Sequence, residues 1–130
     1  MAFWDRWKNK QAANETPADP LLQAHIAELR DVLQDILVVL EGDGETHWRD
    51  WMTATRDQLQ HSHTKGARHL LDAYGGMGSF NDLIIGQRMT DEGLEWAEGA
   101  GEANDQLGAL RTRAYTLATE ILQSGKTSPA

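Results

Sequence analysis

The stretch Asp19-Pro20-Leu21-Leu22-Gln23-Ala24-His25-Ile26-Ala27-Glu28-Leu29-Arg30-Asp31-Val32-Leu33-Gln34-Asp35-Ile36-Leu37-Val38-Val39-Leu40 decides the fold. Leu22, Ile26, Leu29, Leu33, Ile36, Leu37 and Leu40 recur in steps of three and four, the period of one buried helical face. Glu28, Arg30, Asp31, Gln34 and Asp35 fall mostly on the other side. Asp19 is a good N-cap, and Pro20 is tolerated at the first helical position, where its missing N–H would have no partner. Gly42 and Gly44 are expected to stop this helix.

Further along, the same period recurs. A second helix is expected from about Glu45 to Gln60, with Trp48, Trp51, Met52, Thr55 and Leu59 on one stripe and two Trp one turn apart to anchor it on the first. A shorter helix, roughly 64–74, carries Ala67, Leu70, Leu71 and Tyr74 on one face. A last helix, about Asn104 to Gln123, aligns Leu107, Leu110, Ala114, Leu117, Ala118 and Ile121, with Gly125 as its cap. Between them, Gly86 to Gly101 is acidic and poor in apolar residues, so an irregular or partly helical connection is expected. The result is an all-α protein, a small antiparallel bundle of about four helices. Residues 19–125 form its helical domain, residues 1–18 an amphipathic segment and linker, and residues 126–130 a frayed tail.

The pattern is broken most sharply at Ala73-Tyr74-Gly75-Gly76-Met77-Gly78-Ser79-Phe80-Asn81-Asp82-Leu83. Three glycines in four positions mark a backbone that needs positive φ or close approach. Ser79 with Asp82 three residues on reads as a capping box or its relative, opening a short helical or extended segment in which Phe80, Leu83, Ile84 and Ile85 bury. In the structural reading Gly75 ends the preceding helix in αL geometry, the other glycines let helices approach, and Asn81 and Asp82 tie the loop to backbone. In the functional reading the loop N–H groups cradle an anion. Phosphate-binding loops, however, follow a β-strand, and a helix is expected before this one.

This run resembles the mark of a family of small bacterial proteins of unknown function. The resemblance covers Glu45 to Ile85 and extends more loosely to Leu110-Arg111-x-x-Ala114-Tyr115-x-Leu117-Ala118. It implies a compact helical protein and brings no catalytic site with it. The basic N-terminal segment and the acidic connection look like variable additions.

Composition narrows the function. The chain has 130 residues, enough for one domain with a real core, and no cysteine, which fits a reducing cytoplasm and removes thiolate chemistry. No apolar run approaches the roughly 20 residues of a membrane span, nor is there a signal-peptide core. The net charge of −8 is uneven. Residues 1–18 set Arg6, Lys8 and Lys10 against Asp5 and Glu15. Between Met89 and Leu110 there are Asp91, Glu92, Glu95, Glu98, Glu102 and Asp105, with no Lys or Arg. Such a field repels nucleic acid and attracts basic partners.

Little in the sequence supports catalysis. Ser62 and Ser79 lack a nucleophile elbow. His61, His63 and His69, with Asp57 and Asp72 nearby, lack zinc-site spacing and read as a pH-responsive surface, so neither metal nor cofactor is expected. The reading that follows is a non-catalytic acidic interaction protein of immunity or antitoxin type that neutralises a basic partner. Its docking residues would be Asp91, Glu92, Glu95, Trp96, Glu98 and Glu102, with Trp96 as apolar anchor. The alternative is an anion-binding or enzymatic domain using Gly75 to Ser79. A third is a peripheral membrane adaptor through Phe3, Trp4 and Trp7, which stand at helical spacing among basic residues.

Overall fold

The computed structural model describes residues 19–75 and 77–126. The expectations for residues 1–18, Gly76 and 127–130 lie outside them. Four helices pack together: α1 (Pro20–Asp43), α2 (Thr46–His61), α3 (His63–Leu71) and α4 (Ala100–Lys126). Between α3 and α4 lie a 3-10 turn, η1 (Phe80–Asp82), and two strands, β1 (Gln87–Thr90) and β2 (Gly93–Trp96). The fold is thus mostly helical with a small antiparallel hairpin, not purely α. The expected irregular connection is corrected there.

The ends of α1 follow local chemistry. The Asp19 carboxylate accepts from the Leu21 N–H at 2.9 Å, and Pro20 opens the first turn. At the other end Gly44 sits at φ 76°, its N–H reaching the Glu41 carbonyl and the Glu45 N–H the Leu40 carbonyl. This is a Schellman ending, which only the αL residue must make as glycine. Gly42, by contrast, lies inside the helix and stops nothing.

From α1 the core takes Leu22, Ile26, Leu29, Val32, Leu33, Ile36, Leu37 and Leu40. From α4 it takes Leu107, Ala114, Leu117, Ala118 and Ile121. The two run antiparallel, with Arg113 bidentate on Glu28 (2.6 and 2.8 Å) and His25 at 3.1 Å from Glu120. On the far side α2 and α3 form a tight helical hairpin. Ser62 alone joins them: its N–H closes α2 on Gln58, and its Oγ accepts from Lys65 N at the start of α3. Gly66 makes this approach possible, since a Cβ there would stand 2.8 Å from the Leu59 backbone nitrogen.

Helix α3 is shorter than expected and ends at Leu71 with Asp72 as its cap in ordinary αR geometry. Helix α4 is longer at both ends and runs past Gly125. Among the described residues, no helix is long and apolar enough to cross a membrane.

Candidate functional site: the hairpin face of helix α4

The motif loop is held from both ends. Ala73 and Phe80 are buried, and the Phe80 N–H donates to the Ala73 carbonyl at 2.9 Å. Phe80 meets Trp48 (ring centroids 5.4 Å) and Tyr74 (5.8 Å). The Tyr74 hydroxyl donates to the Arg111 carbonyl at 2.7 Å, and its burial pushes the phenol pKa up, so it stays a donor. Arg111 returns the contact, its Nη1 donating to the Phe80 and Leu83 carbonyls at 3.0 and 3.3 Å. Phe80 is therefore the plug of the loop.

Inside the loop several donors are already used. The Asp82 carboxylate accepts from Gly78 N at 2.9 Å, Ser79 Oγ accepts from Asn81 N at 3.3 Å, and Ser79 Oγ donates to the Gly75 carbonyl at 2.9 Å. The capping-box relative is present, though the carboxylate takes the N–H one residue before the cap. The Gly78 N–H is thus taken by a carboxylate of the chain itself. Two expectations are corrected. Gly75 does not have positive φ; Gly78 does, at 82°. A Cβ on either would meet nothing within 4 Å, so neither serves helix approach; Gly78 serves backbone shape, and neither crowding nor positive φ requires glycine at Gly75. Met77 is 99% exposed at the tip.

Beyond η1 the chain is fastened to α4 by a residue the sequence reading passed over. Asn104 Oδ1 accepts from the Ile85 N–H at 2.9 Å, and its Nδ2 donates to the Ile85 carbonyl at 2.8 Å and to the Ala100 carbonyl at 2.9 Å. All three of its hydrogen bonds go to backbone, so Ile85 is held as if by a neighbouring strand. Ile85 is buried, whereas Leu83 is only half-buried and Ile84 is 55% exposed, against the expectation that all three bury.

The hairpin follows from Gly86. Its φ is 82°, its N–H donates to Asp43 Oδ1 at 2.7 Å, and its carbonyl accepts from Ala97 N at 2.7 Å. A Cβ on Gly86 would lie 2.6 Å from the Ala100 Cβ. Strand pairing sets Gln87 opposite Trp96 and Met89 opposite Leu94. Side chains alternate along strands, so these four share one face and Arg88 and Glu95 share the other.

This face adjoins a groove of about 600 Å³ lined by Leu83, Ile84, Trp96, Ala97, Asn104 and Arg111, among others. Its floor on α4 is the stripe Gly101, Asn104 and Arg111. A smaller hollow of about 320 Å³, with Tyr74, Asn81, Arg111 and Tyr115 in its wall, lies on the other side of Arg111. Of the eight exposed large hydrophobics among the described residues, Met77, Ile84, Met89, Leu94, Trp96 and Tyr115 lie in the motif loop, the segment that follows it, the hairpin and α4. Single exposed apolar residues need no explanation, whereas a contiguous apolar patch is the usual mark of an interaction surface.

The five acidic docking candidates are spread over the hairpin and the start of α4 rather than along one helix. Asp91 and Glu92 form the hairpin turn, Glu95 lies on the back of β2 opposite Arg88, Glu98 follows β2, and Glu102 is in the first turn of α4. All are exposed, as are Trp96 (58%) and Asp105. Among the described residues, no ion pair ties down any of these carboxylates.

The histidines do not converge. His61 is exposed, and His69 stacks on Trp51 at 4.4 Å while its Nδ1 lies 2.7 Å from Thr55 Oγ1. Thr55 is fully buried and also donates to the Trp51 carbonyl, and Trp51 Nε1 donates to the His69 carbonyl at 2.9 Å. The group is a clamp between α2 and α3. Among the described residues no three His, Asp or Glu side chains gather as metal ligands.

Burial lowers the His69 pKa, against a smaller opposing pull from Asp72. The unfolded chain therefore takes the proton more readily. The His69 contribution is complete above the ordinary imidazole value of about 6.5 and is lost as pH falls from there toward the lower folded value. In thermal melts from pH 7.5 to 5.5, His69→Gln is expected to flatten the wild-type decline in that window.

A family model described as Domain of unknown function (DUF6966) matches residues 41–92. That span holds α2, α3, the motif loop, η1 and β1, and stops before β2 and α4. It agrees, as a domain family without assigned activity, with the resemblance carried by the motif. No curated protein and no solved structure matches the chain.

Proposed function

We propose that this chain is a non-catalytic interaction protein that binds a basic protein partner on the hairpin face of α4. The observation that carries the reading is the exposed apolar cluster Ile84, Met89, Leu94 and Trp96, set among carboxylates that hold no ion pair. An apolar centre with a charged rim is the anatomy of a protein docking site: the centre supplies affinity, and the rim steers encounter and selects the partner's sign. Trp96 is its anchor. Asp91, Glu92, Glu98 and Glu102 form the rim, and Glu95 adds to the field from the back of β2.

Within this reading an immunity or antitoxin role fits the charge best. A basic protein that acts on nucleic acid presents a phosphate-binding surface, and an acidic face can occupy it. We place no ligand in the glycine loop, because Asp82 already takes the Gly78 N–H.

Affinity capture from native lysate at low and high salt, with wild type and two variants, tests the proposal. A basic protein held by wild type at low salt is expected to be weakened at high salt. Trp96→Ala should lose about 2 kcal/mol or more of binding, the hot-spot range. Glu95→Lys with Glu98→Lys and Glu102→Lys should slow association and abolish the salt dependence. Equal retention by all three proteins would refute the docking face.

A further inference from the structure

We propose that the groove between the hairpin and α4 binds a small aromatic carboxylic acid, its carboxylate on Arg111 and its ring against Leu83, Ile84 and Trp96. The proposal goes beyond the docking reading and does not rest on it, since the acid is held by a hollow of the chain whatever protein meets the rim.

The charge that selects the ligand is on Arg111. Among the described residues its guanidinium has no carboxylate partner. Nη1 is committed to the Phe80 and Leu83 carbonyls, while Nε and Nη2 make no hydrogen bond to any described residue. Those two nitrogens form the edge of the guanidinium that takes both oxygens of one carboxylate. Arg113 uses the same edge on Glu28, at 2.6 and 2.8 Å. The Arg111 edge is also fixed before a ligand arrives. Two carbonyls hold Nη1, the Phe80 ring centre lies 5.9 Å from the guanidinium carbon, and the Tyr74 hydroxyl pins the Arg111 carbonyl. A fork already in place loses little freedom on binding.

The rest of the groove asks for an apolar body. Its volume of about 600 Å³ falls in the range of small-molecule sites. Asn104, also in the wall, spends its amide on the backbone of Ile85 and Ala100, which leaves Arg111 to recognise charge. Ile84 and Trp96 are exposed, and the indole favours a planar partner. On the α4 side a Cβ at Gly101 would meet nothing within 4 Å, so no side chain crowds that part of the floor. The acidic rim stands off from the cation. Glu102, in the first turn of α4, is about 13 Å from Arg111 along the axis. That exceeds the Debye length of about 8 Å at physiological ionic strength. Asp82 accepts from the Gly78 N–H and forms no ion pair with Arg111.

The test titrates the full-length ¹⁵N-labelled chain with biphenylcarboxylate and with the neutral biphenyl amide, by calorimetry and by NMR. The acid is expected to bind at least roughly tenfold tighter than the amide. It should move the Trp96 indole and Arg111 Nε–H resonances and leave Trp48 and Trp51 in place. Gly101→Leu fills the floor with a better helix former, so it should melt no lower than wild type and lose binding of both probes by at least about tenfold. Arg111→Lys should bring acid and amide to near parity; where that variant fails to fold, the probe ratio and Gly101→Leu decide. No binding of the acid tighter than about 1 mM, equal binding of acid and amide, saturation with Trp96 and Arg111 unmoved, or full binding by Gly101→Leu would each overturn the proposal. The capture experiment contains no acid, so the partner reading stands or falls separately.

Discussion

Phe80→Ala is expected to cost about 3–5 kcal/mol, lowering the thermal midpoint by about 10–20 °C. The side chain is fully buried, packed against Trp48 and Tyr74, with the Arg111 guanidinium 5.9 Å from its ring centre. Its loss leaves a cavity where α2, the motif loop and α4 meet, and Arg111 loses the ring beside it. Met77→Ala, three residues away but fully in solvent, should stay within about 0.5 kcal/mol of wild type. The pair, measured by urea unfolding, separates the two halves of the motif. A mild Phe80→Ala or a costly Met77→Ala would mean that the loop is not held as described.

Gly86→Ala should cost about 2–4 kcal/mol, while Gly99→Ala costs about 1 kcal/mol. Both glycines have nearly the same left-handed backbone, φ 82° and 79°. They differ in surroundings: a Cβ on Gly86 would lie 2.6 Å from the Ala100 Cβ and 3.3 Å from its Cα, whereas one on Gly99 meets nothing within 4 Å. The shared part of the penalty is strain, and the excess at Gly86 is crowding between the hairpin and α4. Relief of that crowding swings the hairpin away, so Gly86→Ala should also weaken partner capture. Equal costs for the two variants would mean that the approach of Gly86 to Ala100 is not tight.

The sequence made the helical frame legible because its signals were redundant. In α1 the period of three and four, the Asp19 cap and Pro20 all say the same thing, and the buried side chains agree with them. The hairpin was missed because two signals competed. Leu94-Glu95-Trp96 alternates, and Asp91-Glu92-Gly93 is a fair turn, but each strand has only four residues and the strong acidity reads as a solvated connection. The glycine loop was located correctly and explained partly wrongly. Composition shows that glycine is needed somewhere, but not which residue takes positive φ, and Gly78 rather than Gly75 does so.

Of the proposed docking face, Trp96 and the carboxylates are suggested by charge and residue type alone. Ile84, Asn104 and Arg111 could not be placed there. Ile84 sits in an apolar run that reads as core, yet it is exposed beside Ile85, whose backbone Asn104 holds against α4. Asn104 acts across 19 residues of sequence and Arg111 across 28 and 31, distances over which local pattern carries no information.

Hydrogen–deuterium exchange of the full-length chain, alone and with the partner captured at low salt, would locate the docking surface directly. Added protection is expected over residues 84–104 and near Arg111, with α2 and α3 unchanged. Protection confined to α2 and α3, or to the exposed tip at Met77, would contradict binding on the hairpin face.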